Sequence, residues 1–83
     1  MNIKSLIPMV NRIGQFFESQ PNAQERIEGI ANHIRLFWDP RMRRSLYEFL
    51  DQHPDGQSAE GALSDIVLQA VTQHREALRP TQS

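Results

Sequence analysis

The Asp39-Pro40 step divides one long helical pattern into two and so limits the length of the elements this chain can form. A residue before proline is pushed out of the helical region, whereas Asp at the N-cap and Pro at the first helical position favour a new helix. Apolar residues recur at helical spacing before the step at Ile27, Ile30, Ala31, Ile34, Phe37 and Trp38, and after it at Met42, Leu46, Phe49 and Leu50. We therefore predict helices over residues 23–38 and 40–51.

A further helix is predicted over residues 8–20. Its apolar residues fall within an arc of roughly 120°, which is typical of an amphipathic helix: Met9, Val10, Ile13, Phe16 and Phe17. Pro8 suits the first turn, where its missing N–H would be unpaired in any case. Pro21 marks the end of this helix, and Asn22, followed by Glu25, provides a variant of the capping box for the next one.

The last predicted helix covers residues 59–78 and follows a turn at Asp55-Gly56. Ser58 is its candidate N-cap. Its apolar positions are Leu63, Ile66, Val67, Ala70, Val71 and Leu78. Residues 79–83 are expected to form a frayed tail. With four helices and no convincing strand, residues 1–83 are predicted to form a single all-α domain, a small helical bundle.

Composition excludes several classes of function. The chain has 10 acidic and 9 basic residues and a net charge of −1, whereas nucleic-acid-binding domains need a basic face. It has no cysteine, which excludes disulfides, thiolate nucleophiles and cysteine-ligated clusters. No apolar run approaches the roughly 18 residues of a membrane span, and the N-terminus does not resemble a signal peptide. We therefore expect a cytoplasmic protein that contacts neither membrane nor nucleic acid.

Three arginines, Arg41, Arg43 and Arg44, occupy the start of the third predicted helix. Each opposes the helix dipole there by about 0.3–1 kcal/mol. Either the chain neutralises them itself, through Asp39 with Arg43 and Arg44 with Glu48, or they face acidic groups of another molecule. Arginines beside large aromatic rings have the composition of an interface anchor. The candidate partner-binding residues are Phe37, Trp38, Asp39, Pro40, Arg41, Arg43 and Arg44.

Other candidate sites are weaker. Leu36 and Leu68 lie off the apolar faces of their helices, so either could be exposed or touch a partner. His33, His53 and His74 are too far apart in the chain for a recognised metal motif, and no catalytic triad or carboxylate pair stands out. We expect His74 to satisfy a backbone carbonyl or cap a helix. No catalytic, cofactor-binding or metal-binding residue is predicted, and the chain is not expected to be an enzyme.

The run "FWDPRMRRSL" resembles the central signature of the delta subunit of cytoplasmic NAD-dependent formate dehydrogenases. The resemblance continues upstream through "MVNRIGQFFES" and "IEGIANHIRLFWDPRMRR", separated by the short "QPNAQER" connection. It covers residues from about Met9 to Leu50 and is loose beyond them. Tryptophan, proline and methionine in this fixed order make the motif specific.

The resemblance implies a small accessory subunit without a cofactor of its own, which supports assembly, stability or maturation of the catalytic alpha subunit. The parent enzyme oxidises formate and reduces NAD. The resemblance implies that its alpha subunit holds a molybdenum or tungsten pterin and iron–sulfur clusters, and that its beta and gamma subunits hold FMN and further clusters. The family offers no catalytic residue to carry over to this chain, and it does not itself identify the subunit contacted.

Two other functions remain open at this stage. A free chaperone for insertion of the pterin cofactor could use Arg41, Arg43 and Arg44 to bind phosphate, since arginine suits bidentate phosphate contacts. A helical nucleic-acid-binding module could use the same arginines, but it would require a basic face and a steep salt dependence. The net charge of −1 argues against that last function.

Overall fold

The computed structural model describes residues 2–80, and most of them lie in five α-helices. The predicted all-α class is confirmed, with the addition of a two-stranded antiparallel hairpin in which Gln57 pairs with Ala62 and Ser58 with Gly61. In chain order the elements are α1 (Ile3–Phe17), α2 (Ala23–Phe37), α3 (Pro40–Gln52), β1 (Gln57–Ser58), β2 (Gly61–Ala62), α4 (Asp65–Gln73) and α5 (Arg75–Leu78).

Helix α1 begins at Ile3, one turn before the predicted start at residue 8, and ends at Phe17 rather than at residue 20. Asn2 is the N-cap, and its Oδ1 accepts a hydrogen bond from the Lys4 backbone N–H at 2.9 Å. Pro8 therefore lies inside the helix, where it has no N–H to donate to the preceding turn. The Asn2 cap was the signal that the sequence prediction overlooked.

The earlier start of α1 changes which of its faces is buried. Leu6, Ile7, Val10 and Gly14 face the core. Met9 and Phe16, which were expected in the core, are 45% and 72% exposed. The apolar stripe of α1 is too wide to be buried on one side, because the residues before Pro8 add three more apolar side chains, Ile3, Leu6 and Ile7.

Helices α2 and α3 follow the prediction closely. Oδ1 of Asn22 accepts from the Glu25 backbone N–H at 3.0 Å, and Oδ1 of Asp39 accepts from the Met42 backbone N–H at 3.0 Å. Each helix ends within one residue of the predicted position. Side-chain caps at both N-termini thus explain why these boundaries could be predicted.

The predicted fourth helix over residues 59–78 is replaced by the β1–β2 hairpin, α4 and α5. Ser64, rather than Ser58, precedes the first residue of α4. Gly61 adopts a φ of +143°, which lies outside the helical region and allows the hairpin in place of a helical turn. A break at His74 then separates α4 from α5. Residues 81–83 of the predicted frayed tail lie outside the described residues.

The core lies between α1, α2 and α4, with α3 and α5 closing its sides. Two glycines allow close approach of the surrounding side chains because they have no Cβ. A Cβ on Gly14 would lie 2.7 Å from Cγ2 of Val67, and a Cβ on Gly29 would lie 2.5 Å from the Phe17 ring. Because ordinary Cβ contacts are longer, α1 could not approach its neighbours this closely with a side chain at either position.

A set of side-chain bonds, here called the C-terminal clamp, ties the segment from β2 to α5 to helices α1 and α3. Asn11 donates from Nδ2 to the Ala62 carbonyl and accepts at Oδ1 from the Ser64 N–H, both at 2.9 Å. The Tyr47 hydroxyl donates to the Val71 carbonyl at 3.0 Å. The remaining link of the clamp is an ion pair at 2.6 Å between Nη2 of Arg75 and Oδ1 of Asp51.

Candidate protein-interaction surface

The joint between α2 and α3 is built by Trp38 and Asp39. Trp38 is the C-cap of α2, where its backbone N–H donates to the Ile34 carbonyl at 2.9 Å, and only 5% of the residue is exposed. The hydrogen bond that Asp39 accepts from the Met42 N–H is the largest influence lowering the pKa of that carboxyl group, with smaller contributions from Arg41 and Arg43. The carboxylate that caps α3 is thus favoured in its charged form.

The three arginines that follow the joint do not share one environment. Arg41 and Arg44 are exposed. Arg43 is half-buried, and its Nη1 lies 3.4 Å from the Leu78 carbonyl oxygen in α5, while its Nε is buried without a hydrogen-bond partner. Arg43 therefore contacts the protein's own C-terminal helix, whereas the other two are directed to solvent.

In the described part of the chain, the exposed Arg41 and Arg44 form no ion pair with a carboxylate. Within residues 2–80, the two ion pairs join Arg75 to Asp51 and Arg79 to Glu76. The self-neutralising pairs considered from the sequence, Asp39 with Arg43 and Arg44 with Glu48, are not formed in this part of the chain. The positive charge at the start of α3 is therefore available to another molecule.

A groove of about 530 Å³ lies next to the joint, between α1, α2 and the start of α3. We call it the aromatic groove, and its lining consists of Pro8, Met9, Arg12, Ile13, Phe16, Phe17, His33, Phe37, Trp38 and Met42. Three of the four exposed large hydrophobic side chains in residues 2–80 belong to this lining: Met9, Phe16 and Phe37. Contiguous exposed apolar surface of this kind marks binding sites in soluble proteins.

Ring-to-ring contacts order one wall of the groove. Phe16 and Phe17 meet edge to face with centroids 5.1 Å apart, and the His33 ring lies 6.5 Å from that of Phe17. The Phe37 ring follows at 4.8 Å from His33. The exposed rings at 16 and 37 are therefore held from behind by partly buried rings, which keeps an apolar surface in a defined position.

The structure places the predicted site residues in different roles. Phe37, which was assigned to the apolar face of its helix, is 70% exposed and lines the groove. Trp38 also lines it but is otherwise buried, and Pro40 is exposed as the first residue of α3. The sequence prediction missed the contribution of α1, because Met9 and Phe16 were assigned to the core. The excess width of the apolar stripe on α1, including Leu6 and Ile7, was the available signal.

The two leucines considered as partner contacts differ from each other. Leu36 is 59% exposed and lies outside the groove lining. Leu68 is only partly exposed and packs against the core, where its Cδ1 approaches Gly56. Leu36 therefore provides an exposed apolar residue next to Phe37 but not in the groove, which makes it a natural control.

The histidines do not form a metal site in the described part of the chain. His33 belongs to the groove wall, and His53 stacks near Phe49 with ring centroids 5.2 Å apart. His74 caps α4 through its backbone N–H, which donates to the Ala70 carbonyl, but its Nε2 is buried without a partner. Across residues 2–80, no group of three His, Cys, Asp or Glu side chains could hold a metal ion. None of the helices in the same range is long and apolar enough to cross a membrane.

Comparison with known families places these features in context. Residues 5–71 match the family model described as the NADH-dependent formate dehydrogenase delta subunit, FdsD. The match includes α1 from residue 5 onwards, the joint, the arginines and every residue of the aromatic groove. Comparisons with curated proteins and with solved structures gave no match.

Proposed function

Because the chain belongs to the delta-subunit family of NADH-dependent formate dehydrogenases, we propose that it is a non-catalytic accessory subunit of such an enzyme. Its role would be to support assembly, stability or maturation of the catalytic alpha subunit, in a complex that also contains beta and gamma subunits. The observation that carries this proposal is the aromatic groove beside two unpaired arginines, an exposed surface suited to another protein.

The chain lacks the donor atoms that an iron–sulfur cluster needs. Iron–sulfur clusters are held mainly by cysteine thiolates, and the sequence contains no cysteine. The molybdenum or tungsten pterin, the clusters, FMN and NAD would all belong to the other subunits. We therefore assign no reaction step to residues of this chain.

The candidate contact residues divide into two groups by position. Phe37, Pro40, Arg41 and Arg44 would touch the partner directly, because all four are exposed. Trp38, Asp39 and Arg43 would hold that surface in place through burial, the α3 cap and the contact with α5. Buried apolar rings surrounded by charged residues are the usual composition of a stable subunit contact.

The proposal is tested by expressing the tagged full chain together with the other subunits of its formate dehydrogenase. We expect the chain to elute with the assembled complex in gel filtration, in a fixed ratio to the alpha subunit. Omitting the chain should reduce the yield of assembled complex or its metal content. Full assembly and metal loading without the chain, together with elution of the chain alone, would refute an accessory role. Elution only with cofactor-free alpha subunit would instead favour the chaperone function.

A further inference from the structure

We infer that the aromatic groove receives an amphipathic helix from a partner subunit, and that this helix carries carboxylates beside its apolar residues. The inference rests on the proposed function and names the structural element that the partner supplies. It follows from three properties of the groove, which are its apolar surface, its helical walls and its charge.

The apolar surface requires an apolar occupant. Met9, Phe16 and Phe37 project from two helices and surround a volume of about 530 Å³. That volume lies within the range of roughly 300–1,000 Å³ that is typical of ligand-binding clefts. Burying these three side chains would be favourable in proportion to the apolar area removed from water.

The walls favour a helix over an extended strand. They are formed by the sides of α1 and α2, where backbone N–H and C=O groups are already bonded within each helix. An added strand would find no row of free backbone groups there, as it would at a sheet edge, and its own backbone would lose water without compensation. A helix satisfies its own backbone and can present residues at spacings of three and four to the groove.

The charge of the groove favours an acidic occupant. Arg12 and His33 are the titratable residues of the lining, and no carboxylate belongs to it. Exposed Arg41 lies next to Met42 at the end of the groove, and the positive end of the α3 dipole adds to its charge. The neighbouring Asp39 carboxylate is already engaged as the cap of α3.

The same charge argues against a second copy of this chain as the occupant. A two-fold dimer through the groove would use the same patch on both copies, so the positive charges of Arg12 and Arg41 would meet an equally positive patch. Like charges placed together in an interface are unfavourable. A partner helix with Asp or Glu at its edges meets the groove without this repulsion.

Photocrosslinking in the assembled complex tests the inference. The photoreactive residue benzoylphenylalanine replaces Phe37 in one variant and Leu36 in the control, and mass spectrometry identifies the crosslinked peptide. We expect position 37 to crosslink to one segment of a partner subunit with apolar residues three or four apart and at least one carboxylate. A crosslink to a second copy, to a segment without that pattern, or to no protein at all would overturn the inference.

Binding measurements separate the inference from the proposed function. If wild-type chain does not join the complex, the proposed function fails, and the inference fails with it. If wild type joins and Phe37→Ser binds as tightly, the inference alone fails. We expect Phe37→Ser to weaken binding on the order of tenfold or more, as at an interface hot spot, and Leu36→Ser to change it by about twofold or less.

A charge variant completes the test. Arg12→Gln should weaken binding in low salt, and the difference from wild type should shrink as salt is raised, because screening removes the attraction. Thermal unfolding of each variant must match that of wild type, which is expected because Arg12, Phe37 and Leu36 are all exposed. If Arg12→Gln binds as tightly as wild type at low salt, the inferred carboxylates on the partner helix are wrong.

Discussion

The C-terminal clamp and the aromatic groove lie on the same small domain, but they differ in whether their side chains are paired within the chain. The side chains of the clamp bond other parts of the chain, whereas the apolar side chains of the groove remain uncovered. In the clamp, Asn11 and Tyr47 use their polar atoms to bond backbone groups of the second half of the chain. In the groove, Met9, Phe16 and Phe37 expose apolar surface that nothing in residues 2–80 covers. The clamp completes the fold, whereas the groove is the surface that we propose for a partner.

This contrast predicts that stability and partner binding depend on different residues. A domain of 83 residues has little stability to spare, since small domains bury a limited share of their surface. Substitutions in the clamp should therefore lower the free energy of unfolding. Substitutions of exposed groove residues should alter assembly and leave that free energy nearly unchanged.

The largest effect on stability is expected at Trp38, which lines the groove and also belongs to the core. Although its ring lines the groove, only 5% of the residue is exposed, so Trp38→Ala should cost about 3–5 kcal/mol and largely unfold the free chain. Phe37→Ala is the matched control, because that adjacent ring is 70% exposed and should cost less than about 1 kcal/mol. Urea denaturation followed by circular dichroism measures the free energy of unfolding of both variants. Equal losses would contradict the separation between residues that stabilise the fold and residues that bind a partner.

The next effect is expected at Asn11, which holds β2 and the start of α4. Asn11→Ala removes two hydrogen bonds and should lower the free energy of unfolding by about 1–2 kcal/mol, because both bonds are partly exposed. Asn11→Asp should recover part of this loss, since a carboxylate still accepts from the Ser64 N–H but cannot donate to the Ala62 carbonyl. Gln15→Ala, exposed on the same helix, is the control in the same denaturation assay. Full stability of Asn11→Ala would show that the clamp does not depend on this residue.

A smaller effect with a characteristic pH dependence is expected at Tyr47. Burial raises the pKa of its hydroxyl to about 12, while the nearby guanidinium of Arg75 opposes the shift. Because the folded chain holds this proton more tightly than the unfolded chain, stability should fall as pH rises from about 10 to 12 and be unaffected by this group below pH 10. Tyr47→Phe should cost about 1 kcal/mol at neutral pH and flatten that alkaline decline. Unfolding curves at pH 8 and pH 11 compare the two chains, and an equal decline in both would assign the effect to another group.

The smallest effect on stability is expected from the double variant Arg41→Gln with Arg44→Gln. Both side chains are exposed at the positive end of α3, so removing them should leave the free domain unchanged or more stable by about 0.3 kcal/mol per residue, the low end of the range for screened surface charges. Arg43 is kept, because its contact with the Leu78 carbonyl gives it a structural role. The double variant should nevertheless join the complex less well, as wild type should in high salt. If the double variant loses stability but still joins the complex, Arg41 and Arg44 stabilise the fold and do not bind the partner.

The sequence predicted best where a boundary depends on a single local interaction. Asn22 and Asp39 are side-chain caps that can be recognised from residue type and spacing, and α2 and α3 begin where they indicate. The start of α1 was predicted too late because Pro8 is a more conspicuous signal than the Asn2 cap. The β1–β2 hairpin was missed because its two-residue strands are too short to show an alternating pattern.

The candidate site was predicted in part, for reasons that depend on tertiary structure. Composition identified Phe37 and the arginines, because arginine and aromatic residues together are unusual on a surface. It could not identify Met9 or Phe16 as groove residues, since helical periodicity gives the width of an apolar face but not which part of it the neighbouring helices cover. The separate environment of Arg43 likewise depends on where α5 packs.

The close packing of Gly29 against the Phe17 ring has a consequence for the depth of the groove. A Cβ at this position would lie 2.5 Å from the ring, so the hydrogen atom of glycine acts as the spacer that lets the ring sit back between α1 and α2. A larger residue at 29 would force the Phe17 ring to move, which would change the shape of the groove that this ring lines. The depth of the proposed binding surface thus depends on Gly29, which packs against the Phe17 ring but does not line the groove itself.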